Sequence, residues 1–343
     1  MRLALAALLF LTACGHVIDG FDFAQPHQYE QPPPAGDRVD VRYLGSGGVW
    51  IAWRGEAILI GPSFSNPPLW RAAVWRMAFD HGRIDRALER LDLTNVRAIL
   101  AGHSHYDHIG DLPVVARRPA LAKVPIHVNA SGKKMLRSEP DLYDRTEEMH
   151  EGEVIEVSDR IHVRPVLSDH APQLCKWRWC RYAPGEVRDD WPENSWTRHL
   201  LWCFKGGQTY AFVIELLDAG KVRYRIYYND SSAGSPAGQT TGDFDLAILC
   251  MAQWNYVDDY PRHLLAALKP RHVIVSHWDD FFRKEETTSH FVPSMSNANA
   301  ARFLGVLDQH VEGDAGPANN VCGVRTTRWT MPVVGASMQF DPK

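Results

Sequence analysis

Short runs of apolar and β-branched residues, each bounded by glycine or a polar cluster, recur along most of this chain. Residues 39–43, 49–53 and 57–60 are three such runs, broken by Gly45, Gly47, Gly48 and Gly55, and they predict an opening meander. Residues 96–101 form a compact apolar run that ends at Gly102 and a histidine cluster. Further strands are expected at 126–128, 161–166, 210–216, 224–228, 245–250 and 272–276. Helical periodicity is expected at 69–79, 83–91, 111–117, 261–268 and 297–308. Strands interleaved with helices in this way predict two sheets packed face to face with helices outside.

The first residues break from that pattern. Arg2 precedes an apolar stretch, residues 3–11, that suits a secretory signal and is too short to span a bilayer. Leu11-Thr12-Ala13-Cys14-Gly15 then resembles the lipobox of bacterial lipoproteins, where the signal is cut before the cysteine and the cysteine is acylated. The resemblance implies a signal peptide at 1–13 and lipidation of Cys14; an incidental cysteine in an ordinary signal is the alternative. Gly15 is not the acidic residue that retains such proteins at the inner membrane, so the resemblance implies a lipid-anchored envelope protein at the outer membrane, facing the periplasm. Residues 14–37, rich in Gln and Pro from Ala24 onward, predict an extended tether. Residues 38–343, without internal repeat, read as one catalytic domain.

Composition narrows the function classes. A chain of 343 residues that is 45% hydrophobic and 23% charged can bury a substantial core. A net charge of −4 with no run of like charges leaves no footprint for nucleic acid. Past Cys14, the exported context allows a disulfide among Cys175, Cys180 and Cys203, while Cys250 and Cys322 complete an odd set with at least one free thiol. Cys250 sits in an apolar run and reads as a small buried hydrophobe.

The densest chemistry lies in Ala101-Gly102-His103-Ser104-His105-Tyr106-Asp107-His108-Ile109-Gly110, where three imidazoles and a carboxylate fall within six residues. All four are competent ligands for first-row metals, and the cluster follows a buried strand and precedes a helix. The segment resembles the signature of the metallo-β-lactamase superfamily, and counterparts of that family's remaining ligands follow in order, each after a strand-like run. His170, in Val166-Leu167-Ser168-Asp169-His170-Ala171-Pro172, is similar to the third histidine. Asp230 in Tyr228-Asn229-Asp230 is similar to the bridging aspartate, and His277 in Ser276-His277-Trp278 to the last histidine.

The resemblance implies an α/β (α+β) domain with the four-layer αββα sandwich. It also implies two divalent metal ions: His103, His105 and His170 on one, Asp107, His108 and His277 on the other, and Asp230 on both. Two carboxylates and five neutral imidazoles neutralise such a pair only in part, so a bridging water would ionise near neutral pH and a metal-bound hydroxide would attack the substrate. Zinc is the first expectation from a nitrogen-rich set, and manganese or iron fits the same ligands. Asp107 is also expected to be catalytic. His81, His127, His162, His199 and His272 read as ordinary packing or surface residues, and His263 is a candidate for the pocket wall. One departure stands out: relatives commonly end the third opening strand in Asp-Pro, whereas this chain has Gly61-Pro62. That aspartate normally supports a ligand, so its loss is expected to loosen ligand orientation or alter metal preference.

Weaker likenesses point within the superfamily. Ser195-Trp196-Thr197-Arg198-His199-Leu200-Leu201-Trp202, Tyr228-Asn229-Asp230 and Ser276-His277-Trp278-Asp279-Asp280-Phe281 look like the branch of the N-acyl-phosphatidylethanolamine-hydrolysing phospholipase D. The branch implies a phosphodiesterase or phospholipase-like hydrolase acting on a small-molecule or lipid substrate. A lactonase or carboxylic ester hydrolase is the alternative enzyme, and a non-catalytic metal-binding envelope protein the alternative class. Five of the 12 tryptophans (Trp177, Trp179, Trp191, Trp196, Trp202) crowd the segment between His170 and Asp230, where they would form either an aromatic wall over the metals or ordinary core. The run at 69–79, with Arg71 and Arg76, suits a helix at a lipid interface or one packed within the domain.

Overall fold

The computed structural model describes residues 16–18, 37–68, 76–172, 184–188, 196, 200, 203–233, 240–282, 292–294, 299–314 and 328–342. Its described strands are β1 (His16–Ile18), β2 (Val39–Gly45), β3 (Gly48–Trp53), β4 (Glu56–Ile60), β5 (Val96–Leu100), β6 (Ile126–Val128), β7 (Thr146–Glu148), β8 (Ile155–Ser158), β9 (Ile161–Ser168), β10 (Thr209–Asp218), β11 (Lys221–Asn229), β12 (Leu246–Cys250), β13 (His272–Ser276), β14 (Val292–Ser294), β15 (Arg328–Thr330) and β16 (Ser337–Phe340). One seven-stranded sheet runs β16-β2-β3-β4-β5-β6-β7 and a second runs β15-β13-β12-β11-β10-β9-β8. The described helices are α1 (His81–Leu88), α2 (Tyr106–Ile109), α3 (Leu112–Ala116), α4 (Ala130–Leu136), α5 (Pro140–Tyr143), α6 (Arg262–Leu268) and α7 (Ala300–Asp314).

Period-two alternation builds the layers. Val39, Val41 and Tyr43, Val49, Ile51 and Trp53, Ile58 and Ile60, and Ala98 and Leu100 all enter one core, against β9 to β13 of the other sheet. Their neighbours Trp50, Ala57, Leu59 and Ile99 face the opposite way and pack with Ile84 and Leu88 of α1 and with α2 to α4. β12 and β13 are apolar at nearly every position because both faces are covered: Leu264, Leu265, Phe303, Leu304 and Leu307 of α6 and α7 belong to the same core cluster. The result is a four-layer αββα sandwich.

All ten expected strands are present: six are lengthened by one to four residues in total, 126–128 and 272–276 keep their bounds, and 96–101 and 245–250 each lose one end residue. The helices differ more. Of the run expected at 69–79, residues 69–75 lie outside the described residues and 76–79 are not helical. The helix expected at 83–91 spans His81–Leu88, starting earlier because the Asp80 carboxylate accepts the Arg83 amide at 3.1 Å and caps the turn there. The last helix begins at Ala300 and runs through Asp314, later than expected at both ends. β7, β8, β15 and β16 carry no strand signal of their own. β16 pairs antiparallel with β2 across some 300 residues, Ser337 opposite Arg42, and so extends the first sheet with the chain's end. β1, within the segment expected to be a tether, pairs antiparallel with β14, His16 opposite Ser294. Among the described residues no helix is long and apolar enough to cross a membrane.

Candidate metal centre

Every expected ligand follows the end of a strand. β5 stops at Leu100 before His103, β9 at Ser168 before His170, β11 at Asn229 before Asp230, and β13 at Ser276 before His277. Asp107 and His108 sit on the single turn of α2. Strand ends are where backbone leaves the ladder and side chains from both sheets can converge.

The seven side chains form three overlapping groups: His103 with His105 and His170, Asp107 with His108 and His277, and Asp230 with His103 and His108. Within the first, His103 Nε2 lies 3.0 Å from His105 Nδ1 and 3.2 Å from His170 Nε2. Within the second, Asp107 Oδ2 lies 3.3 Å from His277 Nε2 and 3.6 Å from His108 Nε2. Asp230 stands between the groups, Oδ1 at 3.2 Å from His103 Nδ1 and Oδ2 at 3.5 Å from His108 Nδ1. The structure thus brings the seven side chains together, with Asp230 reaching one member of each set.

Burial sets the charge states. Desolvation holds His103 and His170 well below the ordinary imidazole value and pushes His108 down to about 4, so all three are neutral near pH 7. Burial opposes charge on Asp107 as well, but His108, His277 and His105 hold its carboxyl below the usual carboxylate range. Asp230 is pushed up to about 6 by burial, with His108 and His277 working against the rise. Burial works against a proton on His277, but hydrogen bonding to Asp107 and nearby carboxylates raises its affinity for one. The donor set fits a metal pair on a second count. Both ring nitrogens of His108, Oδ2 of Asp230 and Nδ1 of His277 are buried without a hydrogen bond, a costly state that coordination relieves.

Tautomers and rotamers are held from behind. The His170 Nδ1–H donates to the Ala171 carbonyl at 2.8 Å, which leaves Nε2 for a cation. Asp111, buried just past α2, accepts Ser65 Oγ and the Ser65 amide, each at 2.6 Å, and the Phe64 amide at 2.5 Å, and so ties the 61–66 loop to the ligand helix. Gly47, at φ +79°, lies where a Cβ would stand 3.2 Å from His108 Cε1 and 3.4 Å from His277 Cδ2. A Cβ at Gly61 would stand 3.5 Å from His108 Nδ1, so the carboxylate missing from Gly61-Pro62 is missing beside an unsatisfied ring nitrogen.

Other candidates fall elsewhere or beyond view. The His263 ring is turned to the Asp259 carbonyl at 2.9 Å and joins none of the three groups. Trp196 is core: fully buried, it packs on Phe204 and donates Nε1–H to the Gly110 carbonyl at 2.9 Å. Cys203 is a free thiol and Cys250 is buried. Cys14, Cys175, Cys180, Cys322, Trp177, Trp179, Trp191, Trp202 and His199 lie outside the described residues. The supporting residues Asp111, Tyr43, Asp279 and Asn129 carried no separate signal, although Asp279 sits two positions past a ligand.

A family model described as a beta-lactamase superfamily domain matches residues 56–188, which include His103, His105, Asp107, His108 and His170. No curated protein matches the sequence. Among solved structures, a metallo hydrolase from the archaeon Ignicoccus hospitalis is similar at 14% identity and a TM-score of 0.45, over 89% of this chain and 100% of that one. The metallo-beta-lactamase fold protein YhfI from Bacillus subtilis is similar at 10% identity and a TM-score of 0.47, over 89% and 100%. CmlA, a diiron beta-hydroxylase from Streptomyces venezuelae, is similar at 14% identity and a TM-score of 0.46, over 91% of this chain and 55% of that one.

Proposed function

We propose that the chain, whose residues 56–188 match the model of a beta-lactamase superfamily domain, is a binuclear metal-dependent hydrolase of a phosphodiester or phospholipid-like substrate. The observation that carries the reading is the pairing of two ligand triads, His103/His105/His170 and Asp107/His108/His277, around the single carboxylate of Asp230. Two divalent cations held by these residues would supply positive charge that acidifies a water and favours displacement at an anionic phosphorus centre. Zinc suits this nitrogen-rich set first, with iron or manganese accommodated by the same residues.

The residues of this chain prepare that chemistry. His103, His108 and His170 are already neutral, so they present lone pairs without first shedding protons. Asp107 is already ionised and stands 3.3 Å from His277 Nε2, so its carboxylate has no proton to shed before holding a cation. Phe281 lies 5.3 Å from the His277 ring, centroid to centroid, and packs on Tyr106, which keeps water from that side of the cluster.

Residues 1–13 as an export signal and Cys14 as a lipid anchor complete the proposal: a domain of residues 38–343 tethered at the outer membrane, where an apolar-bodied substrate with a phosphate head is at hand. The likeness of the 195–202 and 276–281 motifs to the phospholipase D-like branch supports the same choice. Purified, metal-loaded protein assayed against bis(p-nitrophenyl) phosphate and simple lactones tests it. Preferential phosphodiester cleavage is expected. Preferential lactone cleavage replaces the reading with a lactonase, and neither activity beside bound metal replaces it with a binding protein.

A further inference from the structure

Asn129 is fully buried where β6 ends and α4 begins, and its amide is used to capacity. Oδ1 accepts the Gly132 amide at 2.9 Å, as a helix cap, and also the Ser104 hydroxyl. Nδ2 donates to the Gly206 carbonyl at 2.7 Å and the Gln208 carbonyl at 2.6 Å. A backbone N–H on one edge and two carbonyls on the other leave a single workable orientation of the amide. Helix capping explains only the bond to Gly132.

The other bonds converge on His105. Ser104 lies between His103 and His105, and its amide donates to the same Gly206 carbonyl at 3.0 Å. Gly206 lies against the imidazole of His105: a Cβ there would stand 3.0 Å from Nε2 and 3.1 Å from Cε1. Gly207, at φ +65°, is as tightly placed, since a Cβ would meet Ser131 Oγ at 2.6 Å and Asn129 Nδ2 at 2.8 Å. Segments 103–105, 129–132 and 206–208 thus close around one side-chain amide.

From this we infer that Asn129 is a positioning residue for the His105 ring, and that the 206–208 main chain is thereby part of the metal centre. The inference rests on the reading of His103, His105 and His170 as metal ligands. His105 presents Nδ1 to the cluster, 3.0 Å from His103 Nε2, so its ring must be held from the far edge, where Gly206 sits. The 206–208 main chain turns the Gly206 and Gln208 carbonyls to Asn129, and its Nδ2, as a donor, holds both. A ligand whose outer contacts are lost typically binds its metal about 10–100-fold more weakly.

Two variants of the full chain separate this role from capping. Asn129→Asp keeps the acceptor for Gly132 and Ser104 but sets an oxygen against the two carbonyls. Gly206→Ala leaves Asn129 intact and pushes a methyl onto the His105 ring. Cobalt(II) titration followed by visible absorption, with zinc stoichiometry by elemental analysis and circular dichroism for fold, gives the readout. The parent is expected to take up about two ions. Both variants should hold the ion of the Asp107/His108/His277 side as the parent does and bind the other about 10–100-fold more weakly, with that site's cobalt absorption reduced. Equal weakening of both ions, or a lowered Tm with both affinities unchanged, overturns the inference and leaves Asn129 a helix cap. Should Asn129→Asp not fold, Gly206→Ala decides by the same criterion. A parent that binds no metal overturns the hydrolase reading and this inference with it, whereas variants indistinguishable from a two-metal parent overturn this inference alone.

Discussion

The backbone amide of His277 donates to the hydroxyl of Tyr43 at 2.9 Å, and that hydroxyl in turn donates to the buried carboxylate of Asp279. His277 has φ +52°, a conformation that a residue with a Cβ adopts only when its surroundings hold it there. Asp279 also accepts the Ser46 amide at 3.1 Å, so one phenol and one carboxylate join the ligand to the 45–47 turn that packs on His108.

Tyr43→Phe removes the phenol and leaves the His277 amide and Asp279 buried without that partner. Stability should fall by about 1–3 kcal/mol, the usual cost of unsatisfied buried groups. Metal retention on the Asp107/His108/His277 side should weaken with it. Thermal denaturation together with metal content after dialysis checks both; an unchanged metal content would show that the backbone holds its angle unaided.

Gly61→Asp would set a carboxylate near His108 Nδ1, where a Cβ meets only ordinary contacts of 3.5 to 3.8 Å. The φ of +58° costs roughly 1–2 kcal/mol for a non-glycine residue, and aspartate is among the types that bear it best. Stability of the metal-free protein should drop slightly while metal binds more tightly. Competition with a chromophoric chelator measures the affinity, and a weaker-binding variant counts against His108 being the ring that lacks support.

Asp230→Ala removes the carboxylate that stands between the two triads. The parent should carry about two first-row ions per chain. The variant should lose affinity for both, whereas Asp107→Ala should weaken chiefly one. Elemental analysis at graded chelator concentrations distinguishes the patterns.

His272, packed under Phe340 and hydrogen bonded to Thr330 Oγ1 at 2.7 Å, is pushed down to about 4 by burial, with Arg328 adding to the effect. Its unfolded value is near 6.5, so between these limits the unfolded chain binds more protons and stability rises with pH. The contribution is complete above about 6.5 and is lost as pH falls towards 4, at most a few kcal/mol given about 1.4 kcal/mol per pH unit. Denaturant unfolding of metal-free protein should show His272→Gln with a shallower decline over that window.

Cys14→Ser should leave the protein as uncut precursor or in the soluble fraction, while the parent partitions with detergent. Phase separation with Triton X-114 decides, and a parent that stays in the aqueous phase removes the anchor from the proposal.

What the sequence determined by itself was the repertoire of elements and the candidate ligands. Period-two alternation in β2 to β4 and the doubly covered runs of β12 and β13 are local signals, and His103, His105, Asp107 and His108 lie within one short segment, so both were legible without coordinates. His170, Asp230 and His277 could be found because each follows a strand in an expected order. Tertiary structure alone decided what holds those ligands in place. Tyr43 and Asp279 are 236 residues apart, Ser104 and Asn129 are 25 apart, and the Asn129 Nδ2 reaches carbonyls 77 and 79 residues on. A tyrosine in a strand or an asparagine before a helix has an adequate local reason to be there, and no local pattern marks the second role. The strands β15 and β16 were hidden for the same reason: Arg328–Thr330 and Ser337–Phe340 become strands because β13 and β2 present edges with unpaired backbone groups, a condition set by the assembled sheets.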